Sequence, residues 1–411
     1  MTGRLVIDKK SMENSSKANA TKPNGDTTFH DANAQGAATA MLIAKKRWNA
    51  YRYTNKGNLV ATISNGSAID IAGNVGAMAA KPVMENRAME YRIYADIESF
   101  DIELATEEAD KLIADIQALA PTFGGIDLEG IKSPDCFYIE RRLKELLEIP
   151  VLCGTAHGTA TSIAAAIINS CKTDRKGIKE MRIVIAGNSA KAIATERFLP
   201  SIGVDKGNIA VFGNKEAKAE SDTLSQAMKN ADIFICFRHE SRQHNNDILS
   251  MARNAIVLAL DNASCVIDSH YIKDLRPDII IATQEPETPN CINPLLALPY
   301  LFRGALDTLS TTINDSMMLA AAESIARIAQ ESRQTLVPKV DDRRLLCEVS
   351  TAVAKATMES GIARRRIKSF DEYCRTLQCR VDDTKGFNSE IVRYRTQRHL
   401  NYGRWKNLEE F

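Results

Sequence analysis

The run RIVIAG ends at Gly187 and continues into Asn188, Ser189, Ala190, Lys191 and Ala192, the part of the chain nearest to a recognisable chemistry. A buried strand that turns sharply into a helix is how a dinucleotide-binding fold offers backbone amides and a positive helix end to phosphate. Such turns use three glycines, for the bend, for close approach of the pyrophosphate and for helix packing. Only Gly187 stands here, with Ser189 and Ala192 in the other two places. The end of the next strand, where a carboxylate would accept from the ribose hydroxyls, carries Gly213 in VFGNKE, with Lys215 and Lys218 just beyond. Lysines there would meet a 2′-phosphate and favour NADP, or stand as ordinary solvated charges. The turn predicts an anion near its amides, with Gly187, Ser189, Lys191 and Lys215 as candidate NAD or NADP contacts. It leaves open whether that anion is a dinucleotide.

The elements around this turn alternate. Strands are expected at 181–186, 209–212, 233–237, 255–260 and 279–282, and helices at 190–199 and 223–230, which is the pattern of a doubly wound parallel sheet. Upstream, residues 39–150 mix short β-like runs (59–63 and 89–94) with helical periodicity at 107–118, an α/β domain of its own. Residues 151–315 form the Rossmann-like domain. Residues 316–377 hold two helices (316–332 and 348–360) whose apolar spacing suits packing back on the first domain. Residues 1–38, polar and poor in large apolar side chains, are expected to be a mobile arm, and 378–411 a polar tail with interleaved aromatics.

Composition narrows the function classes. The chain has 411 residues, 44% hydrophobic and 26% charged, and 53 basic against 52 acidic side chains leave a formal charge of +1. No global field points to nucleic acid or a membrane surface, and neither is expected as a partner. Nine scattered cysteines without a Cys-x-x-Cys pair predict reduced thiols, and with no apolar leader the expected location is the cytoplasm.

Several stretches together are more specific: YRYTNKGNLVATIS, ALAPTFGGIDLEGI, IPVLCGTAHGTA, LFRGALD and AVAKATMESGIARR. They resemble the malic enzymes, in particular the shorter bacterial type, over about four-fifths of the chain. The resemblance implies an α/β fold in which a substrate domain precedes a degenerate Rossmann-like domain, with C-terminal helices packing back, and a homodimer. It also implies NAD(P)-dependent oxidation of malate, decarboxylation assisted by a divalent metal on three carboxylates, and a lysine and tyrosine pair for protons.

Position by position this chain departs from that pattern. The family's Glu-Asp pair corresponds to Glu129 and Gly130, its Asp-Asp pair to Gly154 and Thr155, its lysine to Arg87, and its tyrosine to Ala32. A guanidinium cannot act as a general base, but it can clamp a carboxylate. Where the family places a small apolar loop beside the nicotinamide, this chain has Arg238, His239, Glu240 and Ser241. Asn262 and Asn293 match family asparagines, and His157 matches a loop residue that either caps a helix or does chemistry.

The expected site therefore has Arg87 and His157 as catalytic candidates. Arg87, Glu129, Asn262, Asn293, Arg238 and His239 are the substrate contacts, and no metal is expected. The expected function is a site repurposed for a small carboxylate or phosphorylated metabolite rather than metal-dependent decarboxylation of malate. A noncatalytic scaffold, with a possible protein partner, and an active NAD(P)-dependent malic enzyme are the alternatives. Restoring Asp at Gly130, Gly154 and Thr155 would bring back metal binding if the pocket has kept its shape.

Overall fold

The computed structural model describes residues 29–70, 72–171, 177–213, 218–237, 245–260, 267–285, 288, 290–329 and 335–380. A helix, α1 (Phe29–Lys45), begins inside the segment expected to be a mobile arm. The first sheet follows, with β1 (Leu59–Ser64), β2 (Glu98–Glu103), β3 (Gly125–Leu128) and β4 (Val151–Leu152) in the order β2-β1-β3-β4, all parallel. Every residue of β1 (LVATIS) is buried, as expected of a central parallel strand covered on both faces. Its helices are α2 (Ala77–Ala95), α3 (Ala109–Leu119) and α4 (Asp135–Leu146).

The β-like run at 89–94 is the last part of α2, not a strand. Its buried residues, Ala80, Met84, Tyr91 and Ala95, recur at four, seven and four, the spacing of one helical face, while the apolar Met89 and Ile93 between them stay partly exposed. Alternation over six residues was too short a window to reveal that period.

Helix α5 (Gly154–Cys171) joins the two sheets. Its sequence, GTAHGTATSIAAAIINSC, is small and apolar on all sides, and 14 of its 18 residues are buried. A helix that is apolar all round must be surrounded. The core accordingly runs without a break from β1 through Ile163 and Ile167 to Ile183 and Ile235.

The second sheet has β5 (Ile183–Ala186), β6 (Ile209–Phe212), β7 (Ile233–Cys236), β8 (Ile256–Ala259) and β9 (Ile280–Thr283), all parallel and ordered β6-β5-β7-β8-β9. Each strand lies within about two residues of its expected limits. Helices α6 (Ala190–Phe198), α7 (Lys218–Met228), α8 (Asn245–Leu249) and α9 (Ser269–Leu275) complete this half. The order reverses between β5 and β7, so the crevice beyond their carboxyl ends is where such a sheet takes ligands.

Helix α10 (Leu298–Asp307), within the segment assigned from sequence to the Rossmann-like domain, returns to the first domain against α2, and α11 (Asp315–Ile328) and α12 (Arg344–Glu359) pack on each other and on α10, with α11 also against α5. The return is anchored by Arg303, 1% exposed, which makes two bonds of 2.7 Å to Asp307 and also reaches the Asn58 side chain and the Ala95 carbonyl. Tyr373 donates to the same Asp307 at 2.8 Å. Cys347 of α12 and Cys374 of a helical segment at 370–380 form a disulfide, where the sequence predicted thiols only. No helix among the described residues is long and apolar enough to cross a membrane.

Arg303→Met should destabilise the chain by about 3–5 kcal/mol, because Asp307 is left charged and buried. The double variant with Asp307→Asn should recover much of the loss in denaturant titrations, and equal stability of both variants would refute this role.

Candidate functional site

The site is built on the amino terminus of α5. Residues two apart on a strand share a face, so Asp127 and Glu129 of the β3 edge both point to that helix end. The Gly154 amide donates to Asp127 Oδ1 at 3.0 Å and the Thr155 amide to Glu129 Oε2 at 3.3 Å. These satisfy two of the donors a helix leaves open at its start and place negative charge at its positive end. The other Asp127 oxygen accepts from the Tyr91 hydroxyl at 2.8 Å. Burial, reinforced by Glu129 and opposed by Arg87, pushes the Asp127 carboxyl up to about 7.

Arg87 lies one helical turn before Tyr91 on α2. It donates to Glu90 at 2.7 Å and to the Thr155 hydroxyl at 2.8 Å, and its Nε stands 3.8 Å from Glu129. Burial opposes its charge, but Glu129 and Glu90 outweigh burial and raise its pKa further. The Nε itself is buried with no hydrogen-bond partner.

Arg87, Glu90, Glu129 and Thr155 form one wall of a cleft of about 260 Å³, closed by Asp70, Lys191 and Asn293. Asp70 belongs to the loop after β1 and Lys191 to the first turn of α6, so both halves of the chain contribute. Lys191 bonds Asp70 across the cleft at 2.9 Å.

Could this acidic wall hold a divalent ion? No three His, Cys, Asp or Glu side chains converge as a metal site among the described residues. The space between Glu90 and Glu129 is taken by the Arg87 guanidinium, and Asp127 is committed to Gly154 and Tyr91. This donor set does not fit a hard cation. Nor has the pocket kept the shape that restored carboxylates would need. A Cβ on Gly154 would lie 2.1 Å from Asp127 Oδ1, and one on Gly130, at φ +60°, 2.6 Å from Ile69.

The turn after β5 has a shape that calls for glycine. Gly187 follows β5 at the reversal point with φ +140°, a conformation that side chains rarely adopt, and a Cβ there would meet Phe237 at 2.8 Å. Ser189 does not obstruct this turn, because its hydroxyl faces back to cap α6 through the Ala192 amide at 3.4 Å.

The structure thus brings Arg87, Glu129, Asn293 and Lys191 together. Asn293 also serves its own turn, accepting from the Leu295 amide at 2.9 Å. His157 is not in the cleft. It faces α4, where its Nε2 is 2.9 Å from Glu140, whose carboxyl burial pushes up but His157 and Lys144 hold well below the usual range. It stands two residues after Thr155 on α5, about 200° round the helix, and so faces away from the cleft. Asn262, Arg238, His239 and Lys215 lie outside the described residues. Asp127, Glu90, Tyr91 and Asp70 were missed. The i, i+3, i+4 spacing of Arg87, Glu90 and Tyr91 signals a shared face, but nothing local links Asp127 to Gly154.

No protein-family model matches the chain. The NADP-dependent malic enzyme of Escherichia coli (strain K12) is 40% identical over 391 residues, covering 86% of this chain and 52% of the relative. The chain thus spans about half the length of that relative. The NADP-dependent malic enzyme of Halomonas elongata is 37% identical over 357 residues, covering 79% of this chain and 85% of that one. The crystal structure of malic enzyme from Pyrococcus horikoshii Ot3 matches with a TM-score of 0.81 at 32% identity, over 91% of this chain and 95% of the other. These relatives overturn the expectation of a site repurposed away from malate chemistry, since likeness at that level runs through both halves of the molecule.

Two outcomes test the geometry. Gly154→Ala should cost about 1–3 kcal/mol by forcing Asp127 from its place. A carboxyl raised in the fold binds an extra proton between its unfolded value near 3.9 and about 7, so its contribution to stability falls as pH rises across that window and is level above it. Asp127→Asn should remove that slope, measured by thermal denaturation across the window, and an unchanged slope would exclude Asp127 as its source.

Proposed function

We propose a function from the premise that this chain belongs to the malic enzyme family: it oxidises malate, or a closely similar 2-hydroxy dicarboxylic acid, with NADP or NAD and releases as CO₂ the carboxyl group β to the new ketone, the carbon it leaves taking up a proton. The observation that carries this reading is the cleft between the two sheets, with Arg87 on the substrate-domain wall and Lys191, in the first helical turn after Gly187, with Asn293 on the other. Kinship with NADP-dependent malic enzymes over most of the chain supports it. Bound NADP or NAD supplies the hydride acceptor.

The chain's own residues would do the following. Arg87, already fixed on two sides, offers its unpartnered Nε to a carboxylate of the acid and stays charged throughout. Glu90 takes the hydroxyl proton, since it lines the cleft as a carboxylate and burial, opposed by Arg87, raises its carboxyl above the ordinary value. Asn293, at the head of its turn, orients the acid. Because the carboxylates do not fit a divalent ion, no step is drawn through one, and Arg87 is the cation that faces the developing negative charge. The turn at Gly187–Ser189 receives the phosphates, and the absence of a carboxylate at Gly213 favours NADP. A homodimer is proposed from the same kinship.

The test is NADPH or NADH formation from malate by the purified chain, with chelator and with Mn²⁺ in parallel. No product under either condition would sink the reading. Arg87→Met should lower kcat/KM by about two orders of magnitude. Glu90→Gln should cost about 10²-fold or more in kcat. It should also abolish the loss of rate at low pH that protonation of Glu90 causes in the unaltered chain.

A further inference from the structure

The helical segment at 370–380 is short and lightly packed. Of its eleven residues only Leu377 is fully buried. Tyr373 donates to Asp307 at 2.8 Å, Arg380 stands 3.8 Å from the same carboxylate, and the Lys355 ammonium lies over the Phe370 ring at 4.8 Å. A helix of this length is marginal in water by itself, so its position depends on what ties it down. Cys374, next to Tyr373, is bonded to Cys347 on α12 with 5.0 Å between the Cα atoms and 27 residues between them in sequence. That bridge is not sealed in the core. Both cysteines are partly exposed and line a cleft of about 510 Å³ between α11, α12 and the segment. Six other described cysteines are free thiols, four of them buried, so this is not a scaffold built on structural bridges. Its described disulfide stands where a thiolate can reach it.

We propose that the Cys347–Cys374 bond is a redox modification site, a clasp that a dithiol reductant opens from this cleft and that sets whether the segment at 370–380 is docked or released. A thiolate of the reductant attacks one sulfur of the bridge and forms a mixed disulfide, while the other cysteine leaves as a thiolate and takes up a proton. The second thiol of the reductant then displaces the cysteine still bound, so that the protein gains two electrons and two protons and the reductant is left as a disulfide. A small-molecule disulfide reverses both steps. With the bond closed, the short loop keeps Tyr373 within reach of Asp307. With it open, one buried apolar side chain and the polar contacts hold the segment, and the balance moves toward release. The clasp acts on the carboxylate that pairs with buried Arg303, and it does not depend on what the cleft between the two sheets binds.

The experiment is limited digestion of the full chain with trypsin after equilibration with oxidised or reduced dithiothreitol, in a Cys379→Ser background so that this exposed thiol cannot shuffle with the bridge. Mass spectrometry reads cleavage after Arg375, inside the segment, and alkylation under denaturing conditions reports the state of Cys347 and Cys374. Reduction of the folded chain should speed that cleavage about ten- to a hundredfold, since proteolysis follows the released population, and reoxidation should restore protection. Cys347→Ser should be cut at the fast rate under both conditions. The comparison before and after reduction is made within one protein, so it stands even if that variant fails to fold. The proposal is overturned if no bridge forms in oxidised dithiothreitol, if the bridge resists reduction until the chain is denatured, or if cleavage after Arg375 is equally fast in both states.

Discussion

The amino terminus of α5 is the constraint on which the rest of the molecule depends. A helix of small, apolar residues can be stable only when covered on all sides, and here the two sheets cover it. That places its first turn, with its unsatisfied amides, on the floor between the domains. Asp127 and Glu129 answer those amides from a single strand, and Glu129 in turn draws Arg87 toward the helix end. A cation beside the positive end of a helix is unfavourable by itself. The carboxylates around it make that arrangement stable, and the wall of the cleft is the result.

The same constraint explains why position-by-position comparison with a family pattern misled. Read along the chain, Gly154 is a lost carboxylate. In space, Asp127 fills the volume that a side chain at 154 would occupy, so a carboxylate stands at the start of α5 although none is in its first turn. Arg87, read as a lost base, is a buried cation with fixed partners. Departures that looked like decay when counted singly form one mutually satisfied group, and kinship at 37–40% identity through both domains carries more weight than the tally of substitutions.

The Rossmann-like half follows a parallel logic. One glycine suffices at the bend because Gly187 alone adopts a backbone angle closed to other residues there, while Ser189 turns its hydroxyl to the helix it caps. Lys191, next in that turn, reaches across to Asp70 rather than into solvent, so the two halves meet through charge as well as through the core.

The sequence by itself determined the parts of this protein that depend on neighbouring residues. Unbroken apolar runs marked six of the strands, their alternation with helices marked the second parallel sheet, and the family-like blocks marked the family. Where the local window was too short, as at 89–94, the helical period of Met84, Tyr91 and Ala95 went unread. Tertiary structure alone decided that Asp127 occupies the space above Gly154, that His157 turns to Glu140 and away from the cleft, and that Lys191 pairs with Asp70. The physical reason is that periodicity is a property of consecutive residues, whereas the volume and charge of a site are shared among side chains tens of residues apart, and no one segment records who fills them.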